Sequence, residues 1–243
     1  MTLNWRTRLA MALGVCNLAQ AQPMCRADAA AQRTQVVELY TSEGCNSCPP
    51  ADRWLSSLKQ RPGVMALAFH VDYWDRLGWV DRFASAQFTA RQAQQVASAG
   101  ASFTYTPQVL VNGRDWRGWP NLPPAQPKAL VKLSLSRGAD GIAVASVLPL
   151  AGAPERLALW WAQVEDGHVS QVLAGENKGV RLRHDHVVVQ YGQVAAWRGL
   201  PGEAHQERLQ WDRIRNSGHV TRWVAVVVDA VTGQPLQAGQ IDC

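Results

Sequence analysis

Two cysteines stand two residues apart in VVELYTSEGCNSCPPAD, residues 36–52. Cys45-Asn46-Ser47-Cys48 admits three chemistries: a dithiol–disulfide couple, a metal clip, or a bridge that only holds the chain. A zinc site needs a second Cys-x-x-Cys or a suitably spaced Cys/His pair, and the sequence supplies neither. A soft metal such as copper could take both thiolates with a histidine such as His70. A structural disulfide stays open wherever the compartment is oxidising. For redox work, the first cysteine must sit where a helix begins. There, unpaired backbone N–H groups and the helix dipole lower its pKa and make it the nucleophile. The second, one turn inside, then resolves the mixed disulfide. Pro49 and Pro50 are tolerated in a first helical turn, whose N–H groups have no partner to lose.

The elements that would position this pair follow from the pattern. Gln35–Thr41 reads as a buried strand, and residues 51–60 as a helix with Ala51, Trp54, Leu55 and Leu58 on one face. Val64–Val71 is a second strand, Ser85–Ala97 a helix, and Gln108–Val111 a third strand turned at Asn112-Gly113 into Asp115-Trp116-Arg117. Pro123–Leu130 is a weaker helix candidate. This order is that of an α/β thioredoxin-like domain, a mixed sheet flanked by helices, over residues 34–132. Thr106-Pro107 stands where such folds place a cis proline beside the disulfide. Glu38, on the strand leading to the motif, is a candidate proton relay for the second thiol, with a salt-bridged or surface role as the plainer alternative.

From residue 133 the texture changes to strands and turns (Val131–Ser136, Ile142–Leu148, Leu157–Val164, Val187–Tyr191, Trp223–Asp229), which predicts a β-rich, sandwich-like domain over residues 133–243. His184 and His186 at i, i+2 could ligate a metal, but lack an evident third ligand and read as an exposed polar edge. His70 and Asp72 share one side of a strand end; they could bind a metal or shuttle a proton, but read first as residues that cap the strand and hydrogen-bond the following loop. Trp74, Trp79, Trp116 and Trp119 are candidates for an aromatic groove beside the cysteines, or for packing.

The first residues carry their own logic. Arg6 and Arg8 precede an apolar run, Leu9–Leu18, and then Ala19-Gln20-Ala21, which is the order of a secretory signal peptide over residues 1–21. The run is about half the length of a membrane-spanning helix. The expectation is an exported protein, periplasmic or secreted, with no stable membrane span. If Cys45 pairs with Cys48, then Cys25 and Cys243 are left for each other; cleavage at Ala27-Asp28-Ala29 would delete Cys25. Of the 243 residues, 47% are hydrophobic and 18% charged, the composition of a globular chain. The net charge of +5 comes without runs of like charge and does not argue for nucleic acid.

VELYTSEGCNSCPPADRWL, FHVDYWDRLGWVDRFASAQFTARQ and YTPQVLVNGR together resemble an exported thioredoxin-like family designated domain-of-unknown-function family 1223, and GENKGVRLRHDHVV is similar to that family's second segment. The resemblance covers most of the mature chain. It implies a thioredoxin-like fold with a β-rich C-terminal part, and it implies that Cys45, Cys48 and Pro107 match the thioredoxin-like active centre. Asn46-Ser47 departs from the Gly-Pro of thioredoxins, so no redox potential carries over. The reading reached is a thiol–disulfide oxidoreductase with catalytic Cys45, Cys48, Pro107, Thr106 and Glu38. It uses no cofactor and acts on protein thiols or disulfides or on a redox partner protein. The alternative is a redox-inactive module binding a soft metal or a partner.

Overall fold

The structure, a computed structural model, describes Met1 and residues 25–124, 128–210 and 218–242. The expected signal peptide and Cys243, with its expected link to Cys25, therefore lie outside the described residues. In chain order the elements are β1 (Cys25–Asp28), β2 (Gln35–Thr41), α1 (Pro49–Ser57), β3 (Val64–His70), α2 (Ala86–Ser98), β4 (Gln108–Val111), β5 (Arg114–Asp115), β6 (Val131–Arg137) and β7 (Ala143–Pro149). There follow β8 (Arg156–Asp166), β9 (His168–Gln171), β10 (Arg181–His184), β11 (Val187–Arg198), β12 (His205–Leu209), β13 (Val220–Asp229) and β14 (Pro235–Ile241).

The expected fold class is corrected. The chain is mostly β, 44% strand against 12% helix, with several sheets and two α-helices among the described residues, not a helix-flanked α/β layer followed by a separate β-rich unit. An eight-stranded sheet runs β14-β13-β8-β11-β3-β2-β4-β5. Strands from before and after residue 133 hydrogen-bond in it side by side. The joint is between β11 and β3, which run parallel with Val187 opposite Ala68, and Ala68 N donates to His186 O at 2.7 Å. Periodicity within a segment reports which face is buried; it carries nothing about which strand will cover an open edge. Two textures along the chain therefore suggest two domains, where the strands of both halves share one sheet. Residues 123–130 form no helix among the described residues: Lys128 bridges Gln32, and β6 starts at Val131.

Alternation along the strands sends side chains to two faces. One face carries Tyr40, Leu67, Phe69, Trp160, Val224 and Val226, and Phe88 of α2 packs on it. The other carries Val37, Leu39, Ala66 and Ala68 under Ala51, Trp54 and Leu55 of α1. Further along that face, Leu159, Ala225 and Val227 meet Leu133, Leu135, Ala145 and Val147 from the four-stranded sheet β1-β6-β7-β12. The third sheet is a two-stranded ribbon, β9 with β10. No helix among the described residues is long and apolar enough to cross a membrane.

Candidate functional site

The cysteine pair lies in the turn between β2 and α1. Cys45 and Cys48 are joined in a disulfide, Cα–Cα 5.5 Å, and both residues are fully buried, while Asn46 and Ser47 between them are exposed. Helix α1 begins at Pro49, with Cys48 at the N-cap position and no side-chain cap. So Cys48 occupies the helix start, and Cys45 precedes it by a turn. Pro49 and Pro50 bring no N–H, and the N–H groups of Ala51 and Asp52 both go to Cys48 O at 2.9 and 3.1 Å. The helix end therefore offers Cys45 few free donors.

Two hydroxyls lie beside Cys45 Sγ, those of Ser47 and Thr106, each at 3.3 Å. The Thr106–Pro107 bond is cis, and the Thr106 hydroxyl donates to Cys45 Sγ at 3.3 Å. Trp74 Nε1 donates to that same hydroxyl oxygen at 2.7 Å. The indole N–H can only donate, so the Thr106 hydroxyl accepts from it and keeps its own hydrogen to give. Gly44 makes this approach feasible: a Cβ there would lie 3.1 Å from Trp74 Cβ. Pro107 lines an open groove of about 450 Å³ with Ser47, Phe103, Tyr105, Arg117 and Trp119. Of the four tryptophans singled out in the sequence, only Trp119 lines it. Trp74 binds Thr106, Trp79 Nε1 donates to Glu43 Oε2 at 2.7 Å, and Trp116 Nε1 donates to Asn121 O at 2.7 Å.

Glu38 is not brought to the cysteines. It lies on the sheet face opposite α1, where Arg91 of α2 pairs with it and Tyr40 donates to it at 3.1 Å. The buried acids nearer the disulfide are others. Asp52, in the first turn of α1, accepts from Thr41 Oγ1 at 3.2 Å. It stands four residues after Cys48, on the same side of the helix. His70 Nδ1 pairs with Asp81 Oδ2 at 2.6 Å, and that oxygen also accepts from Glu43 N at 2.9 Å. His184 Nε2 lies 3.2 Å from Glu43 Oε1. The His70 and His184 rings meet edge to face at 5.0 Å. Three carboxylates and two imidazoles thus share one dry volume.

Of these three carboxyls, Asp52 is the one held above its ordinary range, while Glu43 and Asp81 are held below theirs. Burial pushes the Asp52 carboxyl up, against the pull of His184 and His70 and the Thr41 hydrogen bond, with Asp81 adding to the rise. Burial disfavours charge on His70 too, but Asp81, together with the other acids around it, raises that pKa; Asp81 in turn is lowered by His70 in spite of burial. The folded chain therefore binds a proton on Asp52 that the unfolded chain releases near pH 4. Above that pH the folded state holds the extra proton, so stability falls as pH rises toward the folded pKa. Asp52→Asn removes this dependence. Urea midpoints of the variant should fall less than those of the wild type from pH 4 upward; parallel curves would show that Asp52 is ionised in the fold.

The segment Gly175–His186, conspicuous in the sequence without a role, closes the site from above. Asn177 Nδ2 donates to Glu43 O and Cys45 O, both at 2.9 Å, and Glu176 Oε2 accepts from Asn46 N at 3.1 Å. The exposed-edge expectation for its histidines is corrected: both are buried and they do not share a face. β10 ends at His184, and His186 turns at φ 61 to take Arg222 Nη2 on Nδ1 at 2.5 Å. Burial and Arg222 push His186 down to about 4. His70 spends Nδ1 on Asp81, and among the described residues no three His, Cys, Asp or Glu groups converge to hold a metal.

The family model described as "Protein of unknown function (DUF1223)" matches residues 36–229. Among solved structures, the chain is similar to a crystal structure of an Agrobacterium tumefaciens protein, with 24% identity and a TM-score of 0.63 over 87% of this chain and 96% of that one. It is also similar to HBP35 of Porphyromonas gingivalis, with 15% identity and a TM-score of 0.57 over 88% of this chain and 76% of that one. These likenesses concern the fold. No curated protein matches the chain.

Proposed function

The chain belongs to the DUF1223 family, whose function is unknown, and from that premise we propose that it is an exported thiol–disulfide oxidoreductase acting through Cys45 and Cys48. Export rests on the charged, apolar and small-residue order of residues 1–21. The chemistry rests above all on the donor chain from Trp74 through Thr106 to Cys45 Sγ. A donor aimed at a sulfur favours its thiolate, the nucleophilic form.

In the reducing direction, the Cys45 thiolate attacks a substrate disulfide. One substrate sulfur leaves as thiolate and the other is held as a mixed disulfide. Cys48 then attacks Cys45 Sγ and frees the second sulfur. The substrate gains two electrons and Cys45–Cys48 is left oxidised. Oxidation of a substrate dithiol is the same path reversed. Cys48 is buried, so its thiol proton needs a local acceptor. Asp52, one helical turn on, takes that role. The oxidised pair then leaves the proton on Asp52, consistent with the raised pKa of its carboxyl in the disulfide form. Pro107 shapes the groove in which a polypeptide would lie against Ser47.

Thr106→Val tests the activating bond. Hydrogen bonds to charged groups contribute about 1.5–3 kcal/mol, which corresponds to a rise of about 1–2 units in the Cys45 thiol pKa. Alkylation of the reduced protein by iodoacetamide across a pH series reads it directly, and an unchanged midpoint would remove the main support for the proposal. A second reading, a disulfide that only holds the β2–α1 turn, is favoured by one observation: neither cysteine is exposed. Under that reading, low-potential dithiols reduce the bond only very slowly.

A further inference from the structure

We propose that the outward face of the β9–β10 ribbon is a docking surface for a polypeptide that carries carboxylates beside an apolar segment. This deepens the redox reading, on which it rests for the fate of the docked chain: it names the kind of partner presented to Cys45. The ribbon alternates cleanly. His168, Ser170, Leu182 and His184 point inward and are buried, and His184 reaches Glu43. Val169, Gln171, Arg181 and Arg183 point outward and are exposed, with Val169 opposite Arg183 and Gln171 opposite Arg181. At the closed end of the ribbon Leu173 is 67% exposed and Val180 42%.

Charge gives this face its selectivity. Arg181, Arg183 and Lys178 are exposed, and Arg82 extends the same side, with Nη2 donating to Val169 O at 3.2 Å. None of the four pairs with a carboxylate among the described residues. The acids nearby are already engaged. Glu176 holds Asn46 N, and Asp185 is paired with Lys59 Nζ at 2.6 Å. Unpaired cations set among exposed Val and Leu side chains form a surface complementary to an acidic, partly apolar chain. A two-stranded ribbon is marginal alone, and this one is fixed by its inner face and by the Asn177 bonds to Glu43 O and Cys45 O. A chain lying on its outer face is therefore one loop away from the Asn46-Ser47 tip of the disulfide. That continuity favours a polypeptide over a lipid surface, which has no sulfur to deliver.

The test is binding, not turnover, so it is independent of the redox reading. A fluorescein-labelled, cysteine-free peptide alternating Glu with Leu and Phe is titrated by anisotropy against the full chain and against R181E/R183E. A Lys-for-Glu peptide serves as the probe of sign. The expected result is that the Glu peptide binds, that the Lys peptide does not, and that the double reversal weakens binding by about tenfold or more while flattening its salt dependence. Arg198→Glu, an exposed arginine on β11, should leave the affinity unchanged. Equal affinity for wild type and R181E/R183E, with unchanged circular dichroism, overturns the proposal. So does capture of the wild type by phosphatidylglycerol vesicles that is lost in R181E/R183E while peptide binding is not. Charge-dependent peptide binding by a protein that shows no thiol exchange would uphold the surface and sink the redox reading alone.

Discussion

Cys45→Ser should bring disulfide exchange down to the uncatalysed rate, in both dithiol-driven insulin reduction and oxidation of a reduced peptide. A hydroxyl in place of the thiolate cannot attack a disulfide, so no partial activity is expected. Cys48→Ser should differ in kind: Cys45 still attacks, and the protein accumulates as a mixed disulfide visible by mass spectrometry. The competing reading, a bridge that only holds the turn, predicts a stability loss and nothing else. Its magnitude can be bounded. The two cysteines are three residues apart, and the loop-closure entropy of so short a ring contributes about 2 kcal/mol. The double serine variant should therefore remain folded, so that loss of exchange is not a by-product of unfolding. Exchange by Cys45→Ser at the wild-type rate would end the oxidoreductase proposal.

Arg91→Ala should be the most destabilising single substitution considered, by about 3–5 kcal/mol. The guanidinium is buried on α2, paired with Glu38 and hydrogen-bonded to Tyr40 Oη, with Nη2 donating to Glu38 Oε1 at 3.2 Å. It also lies over three rings, 4.5 Å from Phe69, 4.8 Å from Trp160 and 5.2 Å from Tyr191. Trp160 and Tyr191 belong to β8 and β11, and Phe69 and Glu38 to β3 and β2. Arg91 thus rivets the early strands to the late ones across the joint at β11. Burial opposes its charge, but Glu38, joined by Tyr40 and Tyr191, more than restores it, so its pKa is held well above the ordinary value. Truncation leaves the Glu38 carboxylate buried with no cation, which accounts for most of the cost. A domain holding about 5–15 kcal/mol in total would then lie close to its folding limit. The pair E38Q/R91M should be milder than Arg91→Ala alone, because no charge is stranded. Urea denaturation of the three variants tests this order, and a loss below about 1 kcal/mol for Arg91→Ala would show that the pair is not sealed from water.

How much of this was legible beforehand follows the range over which each signal acts. β2, β3 and β4 fall within a residue of the spans read from apolar runs, and α1 and α2 begin within two residues of theirs. Thr106-Pro107 was legible as a special dipeptide because proline alone makes a cis bond inexpensive. Glu38 drew attention through its position on the strand, yet its alternation sends it to the α2 face, and the partner that holds it stands fifty-three residues on in α2. Glu43, Asp52 and Asp81 gave no signal, because a lone acid in a polar loop or a first helical turn looks solvated until something covers it. His184 and Asn177 gave a signal of oddity without direction.

What the amino-acid sequence by itself determined is the local chemistry: a Cys-x-x-Cys turn between a buried strand and an amphipathic helix, and a proline placed to meet it. Side-chain type, two-fold and 3.6-fold periods and backbone-limited residues act within a few positions of one another, so they can be read along the chain. Only the tertiary structure decided that β11 would close the open edge of β3 and make one sheet of two textures. The same event brought the β9–β10 ribbon over the cysteines, supplying Asn177 and His184 to a site begun about one hundred and thirty residues earlier. Such pairings are selected by the global burial of edges and charges, and a buried acid acquires its role only from the neighbours that exclude water from it.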